Sequence, residues 1–221
     1  MARDSQNEIP FGSVMTALAA ESPEMKALVC DGPEGQVTLT RAELDSRANQ
    51  LARYFADQEV VDGDFVTLAL PNALDFFLCC LALWKLGATP NPLSPKLPLM
   101  ERDAILERAR PRMVVGVASV LDYPCLSELP ALDGYSSEPL SERISSRERA
   151  LASGGSTGLP KLIVAANAAV YDPANASPLF KGRQAVLVPG PLYHGAPFSA
   201  AFQGLFSGCK VVVMHRFDAV R

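Results

Sequence analysis

Apolar positions along the chain switch between a helical and a strand-like period, and the switches mark its elements. Leu44, Ala48, Leu51, Ala52 and Phe55 recur at helical spacing, which predicts a helix ending near Gln58 with one buried stripe. Ahead of it, Thr40-Arg41-Ala42-Glu43 has the form of a capping box. Ala73 to Leu86 is apolar nearly all round and is stopped by Gly87, so this helix is expected inside the fold. Further helices are expected over Pro98–Arg110 and Phe198–Phe206, and a short one over Val14–Ala20. Strands are expected at 65–70, 112–117, 184–188 and 209–214, with a strand pair over 28–39 around Asp31-Gly32-Pro33. Pro90 and Pro92 limit 88–93 to a short edge strand or a connector. Strands alternating with helices imply β-α-β units, an α/β fold with a largely parallel sheet.

Three stretches break the pattern. Residues 1–12 read as a loose arm, and 168–182 gives no assignment. Residues 122–148 are rich in Pro, Ser, Glu and Arg, as in a long surface connection or a subdomain boundary. The expected organisation is a first α/β subdomain over 1–148, then an incomplete second one over 149–221.

Composition narrows the possible functions. The chain has 221 residues, 48% of them hydrophobic and 20% charged, as in globular proteins. A net charge of −4 gives no electrostatic footprint for nucleic acid. The longest apolar run, Phe76–Trp84, is too short to span a bilayer. Met1–Pro10 has no apolar segment of the signal-peptide kind, and a cytoplasmic location is expected. The five cysteines form no C-x-x-C pair and there are two histidines, so no metal site is expected.

Two stretches carry candidate chemistry. Ser153-Gly154-Gly155-Ser156-Thr157-Gly158-Leu159-Pro160-Lys161 holds three glycines, three hydroxyls and a lysine in nine residues. Glycines let backbone N–H groups close on an anion, hydroxyls extend the cradle, and Lys161 adds a point charge suited to phosphate. It departs from G-x-x-x-x-G-K-[ST], and its apolar flanks place it as a hairpin-type loop between two strand-like pieces. The alternative is a solvated Gly/Ser turn. Further on, Pro191-Leu192-Tyr193-His194-Gly195-Ala196-Pro197 follows an expected strand, at the edge where open α/β sheets bind ligands. His194 could act near neutral pH there, or merely cap the next helix.

The first stretch resembles the phosphate-binding motif of the adenylate-forming superfamily, which includes acyl-CoA synthetases, aryl-acid activating enzymes and luciferases. The second resembles that superfamily's P-[LM]-[FY]-H-x-x-[PG]. Leu39-Thr40 with Glu43-Leu44, Asn72, Gly87-Ala88 before Asn91-Pro92, and Arg216-Phe217-Asp218 extend the resemblance over residues 28–218. The Leu-Tyr-His-Gly-Ala-Pro-Phe form is similar to that of bile-acid and steroid-acid CoA ligases.

The resemblance implies a carboxylic acid, ATP with Mg2+, and CoA as reactants. It also implies that Ser153, Gly154, Gly155, Ser156, Thr157, Gly158 and Lys161 hold phosphates, while Tyr193, His194 and Gly195 border the acyl pocket, with His194 nearest the reacting carboxylate. Asn72 and Trp84 are expected to be structural. The family's Y-G-x-T-E segment, ribose-binding Asp and C-terminal-domain Lys are not found, so an N-terminal fragment of a ligase is expected, inactive alone. The alternative is a stand-alone nucleotide-, phosphate- or partner-binding module. Long-chain, aryl and steroid acids all stay open as substrates. A sheet edge left unpaired by truncation would favour a homodimer.

Overall fold

The computed structural model describes residues 7–32, 35–118, 121–153 and 161–217. The chain opens with β1 (Ile9–Pro10), α1 (Phe11–Glu21), β2 (Lys26–Gly32), β3 (Gly35–Thr40) and α2 (Arg41–Asp57). Next come β4 (Phe65–Leu68), α3 (Leu74–Lys85), β5 (Thr89–Pro92), α4 (Leu99–Ala109), β6 (Met113–Val115) and β7 (Cys125–Leu126). Then follow β8 (Ala150–Ser153), β9 (Lys161–Val164), β10 (Val170–Tyr171), β11 (Ala185–Val188), α5 (Gly195–Phe206) and β12 (Lys210–Met214).

Two four-stranded sheets organise these elements. One has the order β5-β4-β6-β7 and is parallel throughout. The other has the order β11-β12-β2-β3, parallel except for the β2–β3 hairpin. The fold is therefore α/β with mostly parallel strands. The expected hairpin over 28–39 is present, with Gly32 opposite Gly35. The Thr40 capping box forms as its sequence implies: the Glu43 N–H donates to Thr40 Oγ1 and the Thr40 N–H to the Glu43 carboxylate.

The core is built around α3, whose residues from Phe76 to Lys85 are all buried. Trp84 is fully buried against Phe202, with ring centroids 4.8 Å apart, and Phe77 reaches the same phenylalanine at 5.2 Å. Removing a ring of this size from a closed core costs about 3–5 kcal/mol. The Trp84 indole N–H donates to the Glu148 carbonyl at 2.9 Å, so the core also anchors the end of the long connection.

Several boundaries differ from the sequence reading, each for a physical reason. Within the expected arm over 1–12, β1 pairs with β10 and the Phe11 N–H donates to the Ala169 carbonyl at 2.9 Å. The same pairing gives structure to the unassigned 168–182 stretch. α5 begins at Gly195, ahead of Pro197, because a proline in the first turn gives up an N–H that has no helical partner there. β5 does lie at a sheet edge, yet all four of its residues are buried. The β8–β9 hairpin covers it, with Asn91 Nδ2 donating to the Ala150 carbonyl at 2.9 Å.

Candidate functional site

The loops that follow β4, β5, β11 and β12 meet around one cavity of about 620 Å³. Each parallel strand delivers its next residues to the same side, so Asn72, Lys96, Tyr193 and Arg216 converge from four separate places in the sequence. This is the carboxyl edge, where parallel sheets bind ligands. Lys96, His215 and Arg216 line the cavity, and among the described residues no carboxylate does, which suits it to an anion.

Asn72 sets the geometry of this edge. It is buried, and its Nδ2 donates to the Gly190 carbonyl at 2.9 Å and the Met214 carbonyl at 3.1 Å. Its Oδ1 accepts the Leu192 N–H at 2.9 Å. One side chain thereby ties the loop carrying Tyr193 and His194 to the end of the strand that leads to His215 and Arg216.

His194 occupies the N-cap of α5 with extended backbone, and its side chain makes no capping hydrogen bond. The imidazole is exposed, with the Tyr193 ring 4.7 Å away between centroids. Gly195 is the first residue of the helix. The open N–H groups of that first turn, with no acidic residue in it, leave a local positive potential beside the imidazole.

The stem of the Gly/Ser hairpin lies against this helix. Ser153 pairs with Lys161 across β8 and β9, and the Lys161 side chain is exposed. Gly154, Gly155, Ser156, Thr157 and Gly158 lie outside the described residues. A Cβ on Gly195 would sit 3.4 Å from the Leu151 side chain, so β8 and the first turn of α5 are in van der Waals contact. Just ahead of β8, the Arg149 guanidinium lies 5.0 Å above the Phe198 ring and pairs with Glu148. Burial holds the Arg149 pKa below its ordinary value.

The structure places Tyr193 in the cavity lining with Lys96 and Arg216, and sets Leu151 of β8 against Gly195 in the first turn of α5. It adds Lys96 and Arg216, which sequence reasoning did not single out as site residues. The signal for both was their place a few residues beyond a strand end.

Residues 15–221 match the family of AMP-binding enzymes. The chain belongs to that family. Among its relatives is the long-chain-fatty-acid–CoA ligase FadD13 of Mycobacterium tuberculosis, 28% identical over 236 aligned positions that cover 96% of this chain and 46% of FadD13. The nonribosomal peptide synthetase sidE of Aspergillus fumigatus is 39% identical over 142 residues, covering 59% of this chain and 7% of sidE. Among solved structures, the N-terminal domain of FACL13 from M. tuberculosis superposes with a TM-score of 0.78 at 22% identity, over 96% of this chain and 58% of that one. The N-terminal subdomain of Klebsiella oxytoca NpsA gives 0.77 at 19%, over 91% and 54%. These two show that the AMP-binding chain shares their fold. It spans about half the length of FadD13.

Proposed function

We propose that this AMP-binding chain is the front part of an AMP-forming acid–CoA ligase. In the first step a carboxylate oxygen attacks the α-phosphorus of ATP, and pyrophosphate leaves with the electrons of the broken P–O bond. In the second, the CoA sulfur attacks the acyl carbonyl carbon and AMP departs. The supporting observation is a cation-lined cavity at the carboxyl ends of strands from both sheets, with Tyr193, the neighbour of the α5 N-cap His194, in its lining.

In this reading the segment from Ser153 to Gly158, with Lys161, holds the β- and γ-phosphates and the departing pyrophosphate. Tyr193, His194 and Gly195 border the acid. Such chemistry depends mainly on positioning and on stabilising charge. Lys96, His215 and Arg216 would pair with the phosphates of CoA as it enters. Among the described residues no three His, Cys, Asp or Glu side chains gather as a metal site, so none is assigned to the Mg2+ that accompanies ATP. Similarity to a peptide synthetase supports a second acceptor, a protein-bound thiol. The cation-lined cavity favours free CoA.

ATP–pyrophosphate exchange with a panel of carboxylic acids tests the first step, on the full natural protein and on the 221-residue chain. Acid-dependent exchange is expected in the longer protein and not in the 221-residue chain alone, with Lys161→Ala lowering it roughly 10- to 100-fold, as loss of a charge-assisted contact should. Lys96→Ala with Arg216→Ala should raise the KM for CoA and leave exchange unchanged. No exchange with any acid in the full protein would overturn the reading.

A further inference from the structure

Arg149 leads into β8, and the ladder with β9 extends to it: its carbonyl accepts the Ala165 N–H at 2.9 Å. The residue before it is fixed as well. The Glu148 N–H donates to the Asn167 carbonyl at 2.9 Å, and the Glu148 carbonyl accepts the Trp84 indole N–H at 2.9 Å. From this anchored backbone the guanidinium, paired with the Glu148 carboxylate, reaches to 5.0 Å from the centroid of the Phe198 ring. The Arg149 side chain is only 19% exposed and Phe198 is fully buried. The cation therefore meets the ring largely out of water, where such a contact is strongest.

Phe198 belongs to the first turn of α5, and its N–H donates to the His194 carbonyl at 3.0 Å. Leu151 meets Gly195 in the same turn. Residues two apart on an extended chain share a face, and so do residues three apart on a helix. Arg149 and Leu151 thus form one face of the strand, set on the Gly195–Phe198 face of the helix. As the strand advances from Arg149 to Leu151, its contacts step back from Phe198 to Gly195. β8 therefore runs against the direction of α5 and leaves it at the N-terminal end, on the way to Ser153.

We propose that Arg149 is a positioning residue for adenylate formation: through Phe198 it fixes where the first turn of α5, with His194, stands relative to the Gly/Ser hairpin. It acts through the ring, which carries its hold to the His194 backbone. A cation is required, because the attraction is to the ring quadrupole, which a neutral chain of the same length does not feel. The assignment rests on the ligase reading. Small errors in the alignment of reacting groups are felt in turnover more than in binding.

ATP–pyrophosphate exchange by the full natural protein, as wild type, Arg149→Met and Arg149→Lys, tests it beside the His194 imidazole NMR signal and the urea midpoint of each. Arg149→Met keeps the reach of the side chain and removes the charge. It should lower kcat roughly 5- to 30-fold, the range of a desolvated cation–π contact, and leave the KM for ATP within about twofold. The His194 signal should shift with it. Arg149→Lys keeps a cation over the ring and should recover most of both. Should Arg149→Met fail to fold, Arg149→Gln, which keeps a polar partner for Glu148, carries the same expectation. A lowered urea midpoint with kcat and the imidazole signal unmoved would overturn the proposal, as a merely structural role predicts that result. So would an Arg149→Lys enzyme as slow as Arg149→Met, since charge then has no part. Exchange absent from the wild type with every acid rejects the ligase reading and the positioning role with it. Wild-type exchange that Arg149→Met leaves untouched rejects the positioning role alone.

Discussion

Asn72 Oδ1 accepts the backbone N–H of Leu192 at 2.9 Å, across 120 positions of sequence. With its two Nδ2 bonds, to Gly190 and Met214, it joins the loop after β4 to those after β11 and β12. Replacing it with alanine strands buried backbone groups at about 1–3 kcal/mol each. Counting the two fully buried bonds, to Met214 and Leu192, we expect Asn72→Ala to lower stability by roughly 2–6 kcal/mol. The only histidines of the chain, His194 and His215, lie on the two loops it ties, so both imidazole NMR signals should shift. Asn72→Asp keeps an acceptor for Leu192 but sets a buried carboxylate against the Gly190 and Met214 carbonyls, and should be at least as destabilising. Unmoved imidazole signals in a folded Asn72→Ala protein would show that the edge does not depend on this side chain.

Alkaline pH should destabilise the fold through its buried thiols. Burial, aided by Asp75, pushes Cys30 up to about 12, and burial drives Cys79 and Cys80 well above their ordinary 9.0. A thiol that stays protonated when folded but ionises when unfolded stabilises fully below the unfolded pKa. That contribution is lost as pH rises, at about 1.4 kcal/mol per pH unit for each group. Lys85 works in the opposite sense: burial lowers its pKa from 10.5, so the unfolded chain binds the proton more tightly and stability gains as pH rises toward 10.5. Burial raises Cys209 as well, and four thiols against one ammonium leave a net fall above pH 9. Urea midpoints at pH 8, 9 and 10 should decline, and less steeply in Cys79→Ala. A flat profile would contradict the burial of these thiols.

The connection over 128–141 should loosen as a unit when Arg53 is removed. Arg53 Nη1 donates to the carbonyls of Ser136 at 3.0 Å and Glu138 at 2.8 Å, and Gln50 Nε2 to those of Leu132 at 3.2 Å and Tyr135 at 3.1 Å. These side chains of α2 hold a segment that has no ladder of its own. Arg53→Ala should speed proteolysis within 132–141 by roughly 5- to 30-fold, the equivalent of about 1–2 kcal/mol of local stability. Global unfolding should hardly change. Cleavage at the wild-type rate would show that Gln50 and the Tyr54–Tyr135 contact suffice.

What the sequence made legible was periodic or chemical. The stripe from Leu44 to Phe55, the all-apolar α3 with Gly87 at its end, and the Thr40 capping box each depend on neighbours a few residues away, and a local reading finds them. The Ser153–Lys161 hairpin was visible for the same reason. Asn72, Lys96 and Arg216 were not assigned to the site, because their roles arise only when four strand ends meet. β1 and β10 escaped notice because two-residue strands carry no period, and their pairing joins segments far apart in the sequence, Ile9 with Tyr171. The contact of Arg149 with Phe198 is equally non-local, and in sequence the two read as an ordinary charged and an ordinary apolar position.

Asp45 and Lys85 form a buried ion pair at 2.8 Å, with side chains only 8% and 4% exposed. Thr16 completes the group: its hydroxyl donates to Asp45 Oδ1 at 2.9 Å and accepts from Lys85 Nζ at 3.1 Å. α1, α2 and α3 each contribute one member, so the three helices meet on this network. Taking away one charge leaves the other buried without compensation, at a cost of about 3–5 kcal/mol, whereas replacing both by apolar groups can be nearly neutral. Lys85→Met and Asp45→Leu should therefore each destabilise strongly, and the double variant should recover most of the loss. Denaturant unfolding of the four proteins gives the coupling energy, expected to exceed about 2 kcal/mol. Simple additivity would mean that the two charges are solvated independently and that the helices are held by their apolar contacts alone.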